Sequence, residues 1–219
     1  RGMPPDLMAQ AIADATGHGL PSALMTASAR SCFSVLAKLA ADDPAFTFSP
    51  SAMLSYANRV IYDASMGKIN MTFFIATIDF AEMKLSYANA GHNPPWLFQT
   101  SDGGAKYALK SLTSSGQRLG ETRDFMDYEE KSTPVSPKDI LFLYTDGVVE
   151  GTNAAGDQYG KKRTRKTVEA ALTGGPDSVV EQLMKDFMSH NGPKALNDDV
   201  TIAVAQVLGA MGADAGKPA

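Results

Sequence analysis

Apolar residues along the chain follow two periods, and the change between them divides the sequence. The run Leu7 to Ala13 reads as a strand and ends on a carboxylate, Asp14. Ala-Thr-Gly-His-Gly follows. Pro21 then opens a helix predicted to reach about Ala40, with Leu24, Ala27, Phe33 and Leu36 broadly on one face. AADDPAFTFSP is a loop. Ser49 is a good N-cap and Pro50 a good first helical residue, so a second helix is predicted to about Ser65, with Met53, Leu54, Ala57, Val60 and Ile61 as its stripe. From Met71 the pattern becomes strand-like: 71–80, 84–90, 95–99, 106–111 and 139–145, with turn residues between. Glu82 and Met83 suggest a tight hairpin. After Gly151 a polar loop leads to helices near 163–173 and 176–190, with Asp177 as a start signal, and a last strand spans Asp199–Leu208. Helices segregated from runs of antiparallel strands point to α+β rather than a parallel α/β sheet, and two packed sheets with helices outside accommodate this many strands.

Composition changes this picture little. Of 219 residues, 44% are hydrophobic and 20% charged, which is ordinary globular usage. The formal net charge of −4 gives no basic patch for nucleic acid. No run of apolar residues is long enough to span a membrane. A lone cysteine, Cys32, excludes an internal disulfide framework, fits a reducing compartment, and reads as a small core residue rather than a nucleophile. The start carries no signal-peptide pattern and no initiator methionine, so the sequence reads as a piece of a longer protein. Residues 209–219 read as a disordered tail after a single domain over residues 1–208.

The candidate chemistry lies in acids at strand ends. Asp14 precedes a permissive loop, Asp146 follows ILFLYT and precedes Gly147, and Asp198 and Asp199 precede VTIAVAQV. Converging carboxylates repel unless a cation neutralises them. Mg²⁺ and Mn²⁺ prefer oxygen ligands, whereas one cysteine and three scattered histidines make no soft site. Each acid also has a plain structural reading. Asp146-Gly147 is a strong hairpin signal, Asn197-Asp198 a turn, and Gly17-His18-Gly19 a loop. The weight lies in the three together, in this order.

These segments resemble the SpoIIE-type branch of the bacterial metal-dependent (PPM) serine/threonine protein phosphatases. DATGHGLPSALM is similar to its first core motif, and MTFFIATID, YANAGHNPPWLF, SGQRLG, LFLYTDGVVEGTN, QYG and NDDVTIAV follow in the family's order. The resemblance implies an α-β-β-α sandwich, two packed, mainly antiparallel sheets flanked by helices. It implies hydrolysis of phosphoserine or phosphothreonine by a water activated on two Mn²⁺ or Mg²⁺ ions. Carried over by position, Asp14 bridges the metals, the Ala15 carbonyl binds one of them, and Asp146 and Asp198 complete the ligands. Asp199 falls where relatives carry Asn or Asp, and sequence does not cleanly separate it from Asp198. Gly17 and Gly19 allow close backbone approach with φ > 0, Gly147 spares space beside Asp146, and Thr201 reads equally as a hydrogen-bonding residue near the ligands or as a plain β-branched strand residue. His18 reads as an exposed loop residue, with protonation of the leaving alkoxide as its alternative role. His92 reads as part of a structural turn, with Asn89, Gly91 and Pro94 suited to a tight hairpin.

The resemblance departs in one place. The family's earlier Gly-Gly-Asp strand has no counterpart in RGMPPD, so the domain reads as N-terminally shortened, with a sheet edge open to pairing and hence to a homodimer. The resemblance further implies an upstream sensor or receiver module, a cytoplasmic location (including the cytoplasmic part of a membrane-linked sensor), and a phosphorylated STAS-domain anti-anti-sigma regulator as substrate. The competing readings are a non-catalytic phosphatase-fold module that binds a partner, and a plain β-sandwich whose acids are turn residues.

Overall fold

The computed structural model describes residues 7–17, 19–43, 49–193, 196 and 198–208. In chain order its elements are β1 (Leu7–Ala15), α1 (Leu20–Asp42), α2 (Pro50–Ser65), β2 (Met71–Asp79), β3 (Lys84–Ala90), β4 (Trp96–Thr100), β5 (Tyr107–Ser111), β6 (Glu130–Pro134), β7 (Ile140–Tyr144), α3 (Asp146–Glu150), α4 (Gly160–Ala171), α5 (Gly175–Asn191) and β8 (Ile202–Gln206). The class is α+β, with two four-stranded antiparallel sheets. The described chain divides into two units. One contains the residues up to His92 with Thr113–Val135, and the other contains Asn93–Leu112 with Ser136–Leu208. Each unit holds one sheet and its own helices.

In the first unit the strands run in the order β1-β2-β3-β6. The β2–β3 hairpin turns at Glu82 and Met83 as the sequence predicts. Asp79 Oδ1 accepts the Ala81 and Glu82 N–H groups at 2.9 Å each, and Met83 takes φ 48°. Met71, Phe73 and Ile75 of β2 pack with Met53, Leu54, Ala57 and Ile61 of α2 and with Met25, Ala29 and Leu36 of α1. Phe74, Ala76 and Ile78, on the other face of β2, are also buried. Each of the fully buried Leu, Ile, Met and Phe side chains stabilises the fold by roughly 1.5–3 kcal/mol.

Ser49 caps α2 as its sequence predicts, accepting the Ala52 N–H, and Pro50 opens the helix. The side chain of Glu130 on β6 reinforces that end. Its Oε2 accepts from Ser49 Oγ at 2.6 Å, Ser51 N–H at 3.0 Å and Ser51 Oγ at 2.9 Å. A carboxylate at a helix N-terminus also complements the helix dipole.

Two predicted helix faces need correcting. In α1, Leu24 and Ala27 are exposed, and the buried positions are Met25, Ala29, Leu36 and Ala40, with Cys32 and Phe33 partly covered. Apolar residues surround this helix, so their spacing alone does not choose a face. In α2, Val60 is exposed while the rest of the predicted stripe is buried. β6 was not read as a strand because Glu-Lys-Ser-Thr-Pro has no apolar alternation. It pairs with β3 at the sheet edge, where polar residues and a terminal proline are tolerated.

The second unit orders its strands β5-β4-β7-β8. Trp96, Phe98, Phe142 and Tyr144 cluster with Val148, Val168, Leu183 and Phe187 of the helices. The predicted last strand is shorter, beginning at Ile202. The predicted tail, residues 209–219, and the loop residues 44–48 lie outside the described residues. Among the described residues no helix is long and apolar enough to cross a membrane.

One polar side chain pins the first unit. Asn58, fully buried in α2, accepts the Gly120 N–H at 2.8 Å and donates to the carbonyls of Thr122, Arg123 and Phe125. It thereby ties four backbone groups of the loop after Leu119 to the helix. Asn58→Ala removes all four bonds, leaves the buried Gly120 N–H unpaired, and is expected to cost about 1–3 kcal/mol in urea unfolding. An unchanged denaturation midpoint would contradict this role.

Candidate metal centre

The two units each present carboxylates at strand ends. In the second unit, β7 and β8 pair antiparallel with Tyr144 opposite Ile202. The chain then leaves β7 through Thr145. The Thr145 N–H donates to the Thr201 carbonyl at 3.1 Å, so the ladder runs one residue beyond the strands. The buried Thr145 hydroxyl donates to the Asp199 carbonyl at 3.2 Å and accepts the Thr201 N–H at 3.0 Å. Thr145 occupies the N-cap position of α3, yet its side chain does not cap, because its hydroxyl is committed to the neighbouring strand end.

Asp146 is the first residue of α3 and half-buried, and Asp198 and Asp199 are exposed on the adjoining segment. Asp198 Oδ1 accepts the Asp199 N–H at 2.8 Å. Gly147 explains the close approach. A β-carbon there would collide with the Asp199 carbonyl oxygen, so only glycine lets the segment pass. The space it spares lies beside Asp199, where the sequence placed it beside Asp146. The Asp-Gly pair also forms no hairpin. It starts the short helix α3, and the next strand of the chain, β8, returns to pair with β7 only after α4 and α5. The structure thus brings Asp146 together with the Asp198–Asp199 segment. Thr201 contributes through its backbone. Thr145 was missed because a threonine ending ILFLYT reads as one more β-branched strand residue.

In the first unit, Asp14 and Ala15 end β1, paired with Thr72 and Met71. Thr72 Oγ1 lies 3.4 Å from the Asp14 carbonyl and 2.9 Å from His92 Nδ1. His92 is buried in a closed turn. Its N–H donates to Asn89 Oδ1 at 2.7 Å, and Asn89 Nδ2 donates to its carbonyl at 2.9 Å. This is the structural turn the sequence suggested, with Gly91 at φ 70°. It is no hairpin, since β3 and β4 belong to different sheets. The loop after Asp14 is closed by Thr16, whose N–H and hydroxyl both donate to the Asn70 carbonyl, at 2.9 and 2.8 Å. Gly17 and Gly19 adopt φ 87° and 86°, the conformation their identity predicts. His18 lies outside the described residues.

The groups at these strand ends are oxygen donors in each unit: the Asp14 carboxylate and Ala15 carbonyl in the first, the carboxylates of Asp146, Asp198 and Asp199 in the second. That chemistry, with the glycine cradle at Gly147, fits a hard divalent cation and not a thiophilic one. Among the described residues no three His, Cys, Asp or Glu side chains are gathered closely enough to hold a metal ion. Cys32 is not part of the centre. It is half-buried, and burial pushes its thiol up, away from nucleophilic behaviour.

Residues 4–208 match the sequence model of the family described as Stage II sporulation protein E (SpoIIE). The chain belongs to the SpoIIE family. Among curated relatives, this SpoIIE-type domain is similar to the phosphoserine phosphatase RsbU of Bacillus subtilis (strain 168), with 27% identity over 201 residues. The match covers 89% of the chain and 54% of RsbU, so the chain spans about half the length of that relative. Among solved structures it is similar to the SiaA-PP2C domain of Pseudomonas aeruginosa, with TM-score 0.76, 22% identity, and coverage of 93% of this chain and 77% of that one. It is also similar to the catalytic domain of the serine/threonine protein phosphatase PstP, solved with two manganese ions, with TM-score 0.61, 15% identity, and coverage of 91% and 87%. These likenesses establish the PP2C phosphatase fold.

The Thr145 bracket is directly testable. Thr145→Val strands the Asp199 carbonyl and the Thr201 N–H and is expected to lower stability by about 1–3 kcal/mol, while Thr145→Ser retains most of it. Chemical denaturation of both variants checks this, and equal stability of the valine variant and the unmodified protein would refute it.

Proposed function

We propose that this domain is a protein serine/threonine phosphatase that hydrolyses phosphoserine or phosphothreonine with two Mn²⁺ or Mg²⁺ ions. The observation that carries the reading is the Thr145–Gly147–Asp199 arrangement. It brings the Asp199 backbone against Thr145 and Gly147, so that the segment carrying Asp198 and Asp199 runs past the start of α3, where Asp146 stands. The similarity to RsbU, a phosphoserine phosphatase, supports the reaction class, and the two manganese ions of PstP support the cofactor.

Asp14, the Ala15 carbonyl, Asp146 and Asp198 are the proposed ligands, with Asp199 beside them. When bound, such a pair of ions lowers the pKa of a water and offsets charge on the phosphoryl oxygens. The chain's own residues supply position. Thr72, anchored on His92, backs the Asp14 carbonyl, and Thr145 fixes the Asp199 carbonyl. Gly17 and Gly19 let the loop backbone come close to a substrate without side chains in the way. In the overall reaction a water oxygen bonds to phosphorus as the P–O bond to the seryl or threonyl oxygen breaks, and that oxygen leaves protonated as the alcohol.

The proposed substrate is a phosphorylated STAS-domain anti-anti-sigma regulator in the bacterial cytoplasm. The domain is proposed to act under an upstream sensor or receiver module, with a homodimer as the assembly to test. The reading rests on family membership together with the acidic strand ends.

Hydrolysis of a phosphoserine peptide is expected to require Mn²⁺ and to stop with EDTA. Asp14→Asn and Asp146→Asn are each expected to lower kcat by about a hundredfold or more. Activity indifferent to EDTA, or undiminished in both variants, would defeat the metal-dependent reading. Binding of a partner without turnover would favour a non-catalytic module.

A further inference from the structure

Helix α4 carries Lys161, Lys162, Arg163, Arg165 and Lys166 within six residues, although the whole chain has a formal net charge of −4. All five are exposed. The helix buries Thr164, Val168 and Ala171 against its unit, and α5 buries Val179, Leu183 and Phe187. The two helices leave an open groove of about 940 Å³ between them. Arg163, Lys166, Thr167 and Ala170 line one wall, and Gln182, Lys185, Asp186 and Ser189 line the other. Both sets follow the i, i+3, i+4, i+7 spacing of a single helix face.

The charges in this groove are unequally used. Asp186, the one acid in it, is fully engaged. Arg163 Nε and Nη2 donate to its two oxygens at 2.8 Å each, and Tyr159 Oη donates at 2.7 Å. The Arg163 guanidinium, with help from Tyr159 and Thr167, holds the Asp186 carboxyl well below the usual carboxylate range. Arg163 is further committed, lying 5.0 Å over the Tyr159 ring and 3.0 Å from His190 Nδ1. Arg165 pairs with Glu169 at 2.7 Å. Lys161, Lys162, Lys166 and Lys185 make no ion pair among the described residues. The groove therefore combines the Arg163–Asp186 ion pair with two lining ammonium groups, Lys166 and Lys185, that have no ion-pair partner, and Lys161 and Lys162 stand on α4 outside it.

We propose that the α4–α5 groove is a docking site for an acidic segment of a partner protein. No residue of it belongs to the candidate metal centre, and the proposal does not depend on hydrolysis. Charge complementarity selects an anionic partner. No aromatic side chain lines the groove, so it lacks the stacking platform that single-stranded nucleic acid uses. The apolar residues of α4 are buried, so the helix has no apolar face to insert into a lipid surface. A concave groove with Thr167, Gln182 and Ser189 among its cations offers hydrogen bonds to a peptide backbone as well as to carboxylates.

The test uses the chain as it stands with three probes: a short fluorescein-labelled poly-Glu peptide, a single-stranded oligonucleotide, and phosphatidylserine vesicles. The peptide is expected to bind more tightly than either competitor, with affinity falling as NaCl rises. Lys166→Glu with Lys185→Glu is expected to weaken peptide binding by at least about tenfold. Lys68→Glu with Lys106→Glu, exposed cations outside the groove, is expected to leave it unchanged. Thermal unfolding verifies that both double variants are folded. Absence of peptide binding, tighter binding of the oligonucleotide or vesicles, equal affinity in the groove variant, or an equal loss in the control variant would each overturn the proposal.

Discussion

The hydroxyl of Thr145 decides where two strand ends stand. It donates to the Asp199 carbonyl and accepts the Thr201 N–H, adding side-chain bonds to the main-chain Thr145–Thr201 bond that carries the ladder one residue past Tyr144 and Ile202. An antiparallel ladder normally ends where the chains diverge. Here divergence begins one residue later, and Asp146 and the Asp198–Asp199 segment are side by side when it does. Gly147 is the other half of the constraint, because any β-carbon there would force the Asp199 carbonyl away. The two residues act in opposite senses, one drawing the segment in and the other leaving it room. Substituting one without the other would undo the arrangement.

The first unit solves a related problem by different means. Asp14 ends an edge strand, where only β2 supplies a ladder. The support comes from behind, through Thr72, His92 and the Asn89 turn, and from beyond, through the Thr16–Asn70 closure. His92 illustrates why a histidine in a phosphatase-like sequence need not be chemical. Its ring meets a threonine hydroxyl and its backbone is held by Asn89 on both sides, so burial and satisfaction account for it.

Most of the fold was legible because its signals were local. The Ser49-Pro50 start of α2 declares itself within two residues, and the apolar runs of β2, β4 and β7 reflect burial that few polar residues survive. What escaped the sequence depends on contacts distant along the chain. Glu130 sits 81 residues from Ser49, and its strand has no alternation to betray it. Asn58 looks like an interior helical asparagine, and only the loop after Gly120 gives it four partners. The buried face of α1 was misread because the helix is apolar on more than one side. At the candidate centre the acids themselves were visible, each at the end of an apolar strand. The hydroxyl that holds the Asp199 backbone was not, since a threonine in a strand is chemically silent until its partners are known.

Charge carried the opposite lesson. A net value of −4 describes the chain as mildly acidic, and that average conceals five cations in one short helix. Binding surfaces respond to local potential on the scale of a Debye length, about 10 Å at ordinary ionic strength, so the average has little bearing on what a helix face attracts. The ion pair between Arg163 and Asp186 sharpens this. By engaging the only carboxylate that lines the groove, it bridges the two walls and leaves Lys166 and Lys185 without a counter-charge there. An anion arriving there would neither displace an existing bond nor require the helices to move.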